Sequence, residues 1–308
     1  MTLTWRLRYL TLDNGLSRWY IMRPWRDWHE RRATIGLALR GRDGTAAQCD
    51  EGAVCCLFEG AGDVGGLADR LRGIVAVYQQ CKRMDLPFRL YFKHPFDLGL
   101  FLEPADYDWR IQPGQICRDA RRVKTLVMRP LSDSQYTLRR QHEWMLHTFD
   151  SLARHRPHQT HIYTNASTAY GDGYAALFSE LFRPTRRLQE ALDGIQAQIG
   201  GRYISVSMRF LQLLGDFDDV VYVGVTLTEA ERQTLIGTCL DRLRRLHETY
   251  PGHRILVNSD SHRMLRAAAC LPYAYSIPGD IMHFDRSQGH EDDYGRFEKT
   301  FLDFFIIA

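Results

Sequence analysis

The sequence predicts an α/β protein of two successive domains, and three observations carry that prediction. The first is a six-residue apolar run, Ala53–Phe58, that enters a glycine-rich turn and then a helical pattern opening at Gly65-Gly-Leu-Ala-Asp-Arg-Leu-Arg-Gly-Ile74. A short apolar run closed by glycine has the length and punctuation of a buried strand of a parallel sheet. The second is that strand and helix patterns then alternate to about Ile199. The third is that the alternation begins again at Tyr203, after the pair Gly200-Gly201. Strands alternating with helices give a parallel sheet covered by helices, and two such runs give two domains with a crevice between them.

Each element follows from its local pattern. In the helix expected over Leu67–Met84, the residues Leu71, Ile74, Val75, Tyr78 and Cys81 share one face. Strands are expected at Phe88–Phe92, Val123–Met128 and His161–Thr164, and helices at Leu138–Arg154, Tyr170–Phe182 and Pro184–Ile199, the last opened by its proline. In the second half, strands are expected at Tyr203–Met208, Arg254–Asn258 and around Tyr273–Ile277. The helix from Thr228 to Tyr250 carries the capping-box pair Thr228 and Glu231, and further helices run over Ser261–Ala269 and Phe297–Ile307. The expected domains are an N-terminal extension at 1–52, an α/β domain at 53–200 and a second α/β domain at 201–308. The extension holds Trp5, Trp19, Trp25 and Trp28 but has no clear period.

Size and composition exclude several classes. The 308 residues suffice for two cores, and 44% hydrophobic with 25% charged residues is a globular balance. No run of eighteen apolar residues exists to span a bilayer, and the N-terminus lacks the apolar core of a secretory signal. The formal charge of +3 arises from 36 Arg and 4 Lys spread against 37 acidic residues, with no basic face interleaved with aromatics, so nucleic acid is not an expected partner. The densest basic stretch, Arg118 to Lys124, reads as a solvated face. Cys49, Cys55, Cys56, Cys81, Cys117, Cys239 and Cys270 form no C-x-x-C pair and read as reduced thiols of a cytoplasmic protein.

The glycine turn Gly60-Ala-Gly-Asp-Val-Gly65 spells G-x-G-x-x-G, but about twenty residues later stand Lys82 and Arg83 inside a helix. A dinucleotide site needs an acid at the end of a second strand there, and no Lys-Ser or Lys-Thr follows the glycines as in a P-loop. What remains is a charged first turn, Asp69, Arg70 and Arg72, set where a strand-to-helix turn opens on a ligand crevice; glycines serving turn geometry alone stand as the alternative. Asp216-Phe-Asp218 resembles a metal-holding D-x-D, and His155, His158 and His161 are spaced at intervals that suggest ligation. The first directly follows a strand and the second straddles a proline, so no metal is expected at either. Glu291-Asp-Asp293 reads as a solvated loop.

In order and spacing, a set of segments resembles the fucosyltransferase-like glycosyltransferases of the two-domain GT-B type, and bacterial members of the surface-polysaccharide kind in particular. They are Gly65–Ile74, Leu102–Trp109, Ile204–Arg209 with Leu213–Phe217, Val257–Ser261, His283–Asp285 and Lys299–Phe305. The resemblance implies two Rossmann-like domains facing across a cleft, a GDP-sugar donor, GDP-fucose foremost, and a glycan acceptor. It also implies inverting transfer, no metal or other cofactor, and a cytoplasmic location with room for peripheral membrane association.

Residue by residue, the resemblance places Arg209 at the family's diphosphate-binding arginine, and Ser207 where the family has histidine. Ser259-Asp260-Ser261 matches the Ser/Thr-Asp-Asp strand end, where Asp260 and Ser261 would reach base or ribose; an Asn-Ser-Asp turn capping the next helix would read the same. Arg70, Arg72, Ser207, Arg209, Asp260 and Ser261 are thus the expected donor contacts. Arg209 and Asp69 are the expected catalytic pair, Asp69 as the base; pairing of Asp69 with Arg70 or Arg72 is its structural alternative. The chain ends at Ala308, where the family continues into a Ser-x-Phe motif, so the second domain reads as short at its C-terminus. A degenerate sugar-nucleotide binder without transferase activity is the second reading.

Overall fold

The computed structural model describes residues 49–60, 65–119, 122–128, 135–155, 157–164, 173–216, 226–282 and 294–307. The N-terminal extension up to residue 48, the inner glycine-loop residues 61–64, Asp218, His283–Asp285 and Glu291–Asp293 lie outside the described residues. In chain order the elements are β1 (Ala53–Phe58), α1 (Leu67–Arg83), β2 (Phe88–Phe92), β3 (Leu102–Pro104), β4 (Val123–Met128), α2 (Gln135–Arg154), β5 (Gln159–Thr164) and α3 (Tyr174–Leu181). They continue with β6 (Phe182–Pro184), α4 (Arg186–Ile199), β7 (Tyr203–Met208), α5 (Glu229–Thr249), β8 (Arg254–Ser259), α6 (His262–Ala268), β9 (Ala274–Tyr275) and α7 (Tyr294–Ile307). Among the described residues no helix is long and apolar enough to cross a membrane.

The chain forms two compact units. Among the described residues, one comprises those up to Pro95 together with Pro104–Phe182, and the other Phe96–Glu103 with those from Arg183 onward. The first unit is built on a parallel sheet of order β2-β1-β5-β4. All six residues of β1 are buried, as they must be in a central parallel strand covered on both faces. The chain runs outward from β1 to β2, then restarts at β4 on the far edge and returns to β5 beside β1. Helix α1 buries Leu71, Ile74, Val75, Tyr78 and Cys81, the face expected from the sequence. The Tyr78 hydroxyl and Lys82 Nζ both donate to Glu180 on α3, at 2.5 and 2.6–2.8 Å. Trp109 Nε1 donates to the Leu181 carbonyl at 2.7 Å.

The second unit carries the parallel sheet β7-β8-β9. Its core joins Ile255 and Val257 of β8 to Ile236 and Leu243 of α5, Met264 of α6, and Phe210 and Leu214. The capping box of α5 forms as its sequence requires, the Thr228 side chain accepting from Glu231 N while the Glu231 carboxylate accepts from Thr228 N at 2.7 Å. Helix α4 buries Leu188, Leu192, Ile195 and Ile199 and packs against α7. Phe101 stacks on Phe301 at 4.1 Å and on Tyr294 at 4.6 Å, and Phe96 meets Phe297 at 4.6 Å.

The expected division at Gly200-Gly201 therefore falls inside the second unit. Those glycines do end α4, at φ +62° and +81°, but the apolar face of α4 is satisfied by α7, a partner more than ninety residues later in the chain. Local pattern marks where a helix stops and carries no record of which core its face joins. Expected helix starts also move: α2 begins at Gln135 instead of Leu138, and α3 at Tyr174 instead of Tyr170. Pro184 belongs to β6 and Thr185 is the N-cap of α4, its side chain accepting from Leu188 N, while α7 begins three residues before Phe297.

Candidate functional site

In the second unit, Ser207, Arg209, Asp260 and Ser261 lie at the carboxyl ends of β7 and β8. Along β7, Val206 and Met208 pack on the core, while Ser205, Ser207 and then Arg209 are exposed, the alternation of a strand with one buried face. Arg209 is thus delivered at the strand's end with its side chain on the solvent side. The turn that follows is fixed from β8. The two carboxylate oxygens of Asp260 accept from Phe210 N at 2.7 Å and Leu211 N at 2.9 Å. Leu211 sits at φ +55°, a left-handed conformation that costs a branched side chain about 1 kcal/mol or more, and this pair of bonds holds it. Asp260 therefore positions the backbone that carries Arg209.

Removing that carboxylate should be felt in stability. Asp260→Ala leaves two backbone donors unpaired beside a strained residue, for an expected loss of about 1–3 kcal/mol, and Asp260→Asn, with a single acceptor oxygen, should lie between. Urea unfolding of the two variants checks this, and an unchanged midpoint for Asp260→Ala would remove Asp260 from this role.

Ser261 is fully buried and caps α6, its hydroxyl accepting from Met264 N at 3.2 Å and donating to Asp216 at 2.9–3.0 Å. Asp216 also accepts from Arg263 N at 2.6 Å. Of the two roles open to Ser261 in the sequence, the structure displays the cap. Asp216, first residue of the D-x-D, is engaged at a helix N-terminus, a favourable place for a carboxylate. A shallow, open concavity in the same unit is lined by His262, Asp280, Ile281, Met282, Gly295 and Arg296.

In the first unit, Asp69 is half-exposed on the first turn of α1 and pairs with Arg72 on the same helix. This is the structural alternative given for Asp69, and the pairing does not remove it from solvent. Arg70 has no exposed surface. Its guanidinium donates to the carbonyls of Gly65 and His94, both at 2.9 Å, and lies 5.7 and 5.8 Å from the Phe58 and Phe92 ring centres. Expected as a donor contact, Arg70 instead ties the glycine turn to the segment after β2. The turn needs its glycines: Gly65 has φ +85°, and Gly60 has φ +82° with the His94 ring 3.2 Å from where a Cβ would stand.

One carboxylate at the carboxyl end of β1 was not anticipated. Glu59, directly after β1, accepts from Arg118 at 2.9 and 3.3 Å and from Tyr163 Oη of β5 at 2.9 Å. Burial pushes its carboxyl up, but the Arg118 and Tyr163 bonds outweigh this and hold it below the usual carboxylate range. The signal available in the sequence was its position, the first residue after a fully apolar strand.

Next to this network, His161 is buried and its Nε2 lies 2.8 Å from Gln159 Oε1. Burial, aided by Arg118 and opposed by Glu59, lowers its pKa to about 4. The unfolded chain takes up this proton near pH 6.5 and the folded chain only near pH 4, so stability present above pH 6.5 is lost as pH falls through that window. Between pH 7 and pH 5 the loss carried by His161 should be about 2 kcal/mol. Urea midpoints at the two pH values should therefore differ more for the parent protein than for His161→Gln.

No protein-family model and no curated protein matches the sequence. Solved structures do match. The crystal structure of fucosyltransferase NodZ from Bradyrhizobium aligns with a TM-score of 0.53 at 11% identity, covering 83% of this chain and 85% of that one. The fold resembles that of NodZ. NodZ alpha-1,6-fucosyltransferase co-crystallized with GDP aligns with the same TM-score, and the form soaked with GDP-fucose at 0.50, each at 11% identity and over the same 83% and 85%. At this identity the likeness is one of fold. It extends over both units, so the parallel sheets and helices described above have their counterpart in a fucosyltransferase architecture.

Proposed function

We propose that the protein is a GT-B glycosyltransferase that moves a sugar, fucose in this reading, from a GDP-sugar to a glycan acceptor with inversion. The observation that carries the proposal is Arg209, exposed at the carboxyl end of β7 on a turn gripped by Asp260, in a chain whose fold resembles that of NodZ. A guanidinium there can hold two oxygens of the donor diphosphate in its planar fork and stabilise the charge that grows on it as the glycosidic bond breaks. Ser207, exposed on the same side of the strand, stands next to it for a further contact.

In the proposed step the acceptor hydroxyl attacks the anomeric carbon, the bond from that carbon to the diphosphate oxygen breaks, and GDP leaves with the bonding electrons. The hydroxyl proton passes to a carboxylate on the first unit, for which we assign Asp69. The diphosphate charge is met by fixed positive groups, so donor binding should persist without added Mn²⁺ or Mg²⁺. The engagement of Asp216 with Ser261 and Arg263 supports that expectation. Dependence of GDP binding on Mn²⁺ would count against it. Such an enzyme would work in the cytoplasm, where GDP-sugars are its supply, with peripheral attachment to a membrane compatible with its acceptor.

The test is a thermal-shift panel of GDP-, UDP-, ADP- and CMP-sugars. A ligand at a hundred times its Kd stabilises the fold by about 2.7 kcal/mol, so a GDP-sugar should raise the midpoint selectively. A response to another nucleotide, or to none, would overturn the donor assignment. Ser207, where the resemblance calls for histidine, favours a second reading as a sugar-nucleotide binder without turnover. Consumption of donor in the presence of acceptor glycans separates the two.

A further inference from the structure

A cluster of soft ligands sits at the other end of the first unit's sheet. Cys49, Cys117 and His158 stand just before β1, β4 and β5, at the amino ends of parallel strands, whereas Glu59 lies past the carboxyl end. One ligand atom from each of the three falls within 4.8 Å of the others. Sequence spacing does not unite them, and of the three histidines singled out by their intervals only His158 belongs to this group. We propose that Cys49, Cys117 and His158 form a zinc-binding site.

Three observations support a built site. First, the segments bearing the ligands are stitched together by Gln159, which has no exposed surface: its Nε2 donates to the carbonyls of Asp50 and Gln115 at 3.3 and 3.0 Å, and its Oε1 accepts from Cys117 N at 2.8 Å. Gly52 N donates to the His158 carbonyl at 2.6 Å. The backbone thus fixes the three positions whether or not a metal is bound.

Second, the imidazole of His158 is poised. Nε2 is buried without a hydrogen-bond partner, and Nδ1 lies 3.1 Å from Glu51 Oε1 and 3.0 Å from Arg122 Nη2. If Nδ1 accepts from Arg122, Nε2 carries a proton with no acceptor. If Nδ1–H donates to Glu51, Nε2 offers a lone pair. A cation at Nε2 satisfies both nitrogens at once, and carboxylate–histidine–metal is the usual outer arrangement of a zinc ligand. Third, two sulfurs and one imidazole are the donor set zinc prefers over magnesium or calcium.

Coordination would release one proton from each thiol. Two thiolates then balance the charge of the ion, and because Cys49 is partly exposed, solvent can supply the fourth tetrahedral ligand.

The test uses the full chain, purified from zinc-supplemented culture without a metal-affinity tag. Elemental analysis should find about one zinc per chain, and Co²⁺ added to chelator-treated protein should give the charge-transfer absorption of thiolate-bound cobalt. Chelation should lower the melting midpoint, and zinc should restore it. Cys117→Ser and His158→Gln should each lose at least tenfold in zinc affinity, read by competition with a chromogenic chelator. Protein with sub-stoichiometric zinc and no thiolate–cobalt band, while its melting transition remains cooperative, would overturn the proposal on the parent chain alone. So would a Cys49–Cys117 disulfide in a non-reduced digest of protein that never bound zinc.

Discussion

For the proposed reaction, Arg209→Ala is expected to abolish sugar transfer and to weaken GDP binding at least tenfold, about 1.4 kcal/mol or more. The expectation follows from where Arg209 stands. It is exposed at the end of β7, and the turn after it is held by the Asp260 carboxylate on backbone amides, which the substitution does not touch. Arg209→Lys should recover only part of the loss, because an ammonium keeps the charge but not the two-pronged geometry. Calorimetric titration with GDP reads the affinity and donor consumption reads transfer. Unchanged GDP binding in a folded Arg209→Ala protein would reject the assignment.

The largest effect on stability is expected at Arg70. Alanine there removes a side chain with no exposed surface, leaves the carbonyls of Gly65 and His94 without their donor, and opens a cavity between Phe58 and Phe92. Loss of buried polar partners together with a cavity of this size costs about 3–5 kcal/mol. Arg70→Met, which fills most of the volume but restores no hydrogen bond, should cost less. Urea unfolding of both variants decides the point, and a loss under about 1 kcal/mol for Arg70→Ala would show that the glycine turn holds without it.

Elements governed by neighbouring residues were legible in the sequence, often to their ends. Phe88–Phe92, Val123–Met128 and Tyr203–Met208 form where their apolar and β-branched residues place them, and Thr228 with Glu231 opens α5 as the capping box requires. At β5 the sequence expectation began two residues late, because Gln159 and Thr160 look like loop residues although both are buried. Their polarity serves the stitching of adjacent segments, which no local window records. The same limit governs the candidate site. The sequence placed Arg209, Ser207, Asp260 and Ser261 at strand ends, where they are found. It could not tell that Arg70 turns inward, that Asp216 meets Ser261 from 45 residues away, or that Cys49, Cys117 and His158 converge. Each of these depends on pairing between strands distant in the chain.

The aromatic stack of the second unit bears on how the protein can be made. Phe96 and Phe101 are synthesised early, but their ring partners Phe297 and Phe301 arrive roughly two hundred residues later, a separation that slows folding by demanding a long loop closure. At a translation rate of about 5–20 residues per second, the two early rings wait about 10–40 s for the helix that covers them. During that interval they are exposed apolar surface, of the kind chaperones hold and nascent chains aggregate through. A fragment begun after Gly201 would suffer the converse defect, since its last helix would emerge with Phe297 and Phe301 lacking the rings that bury them.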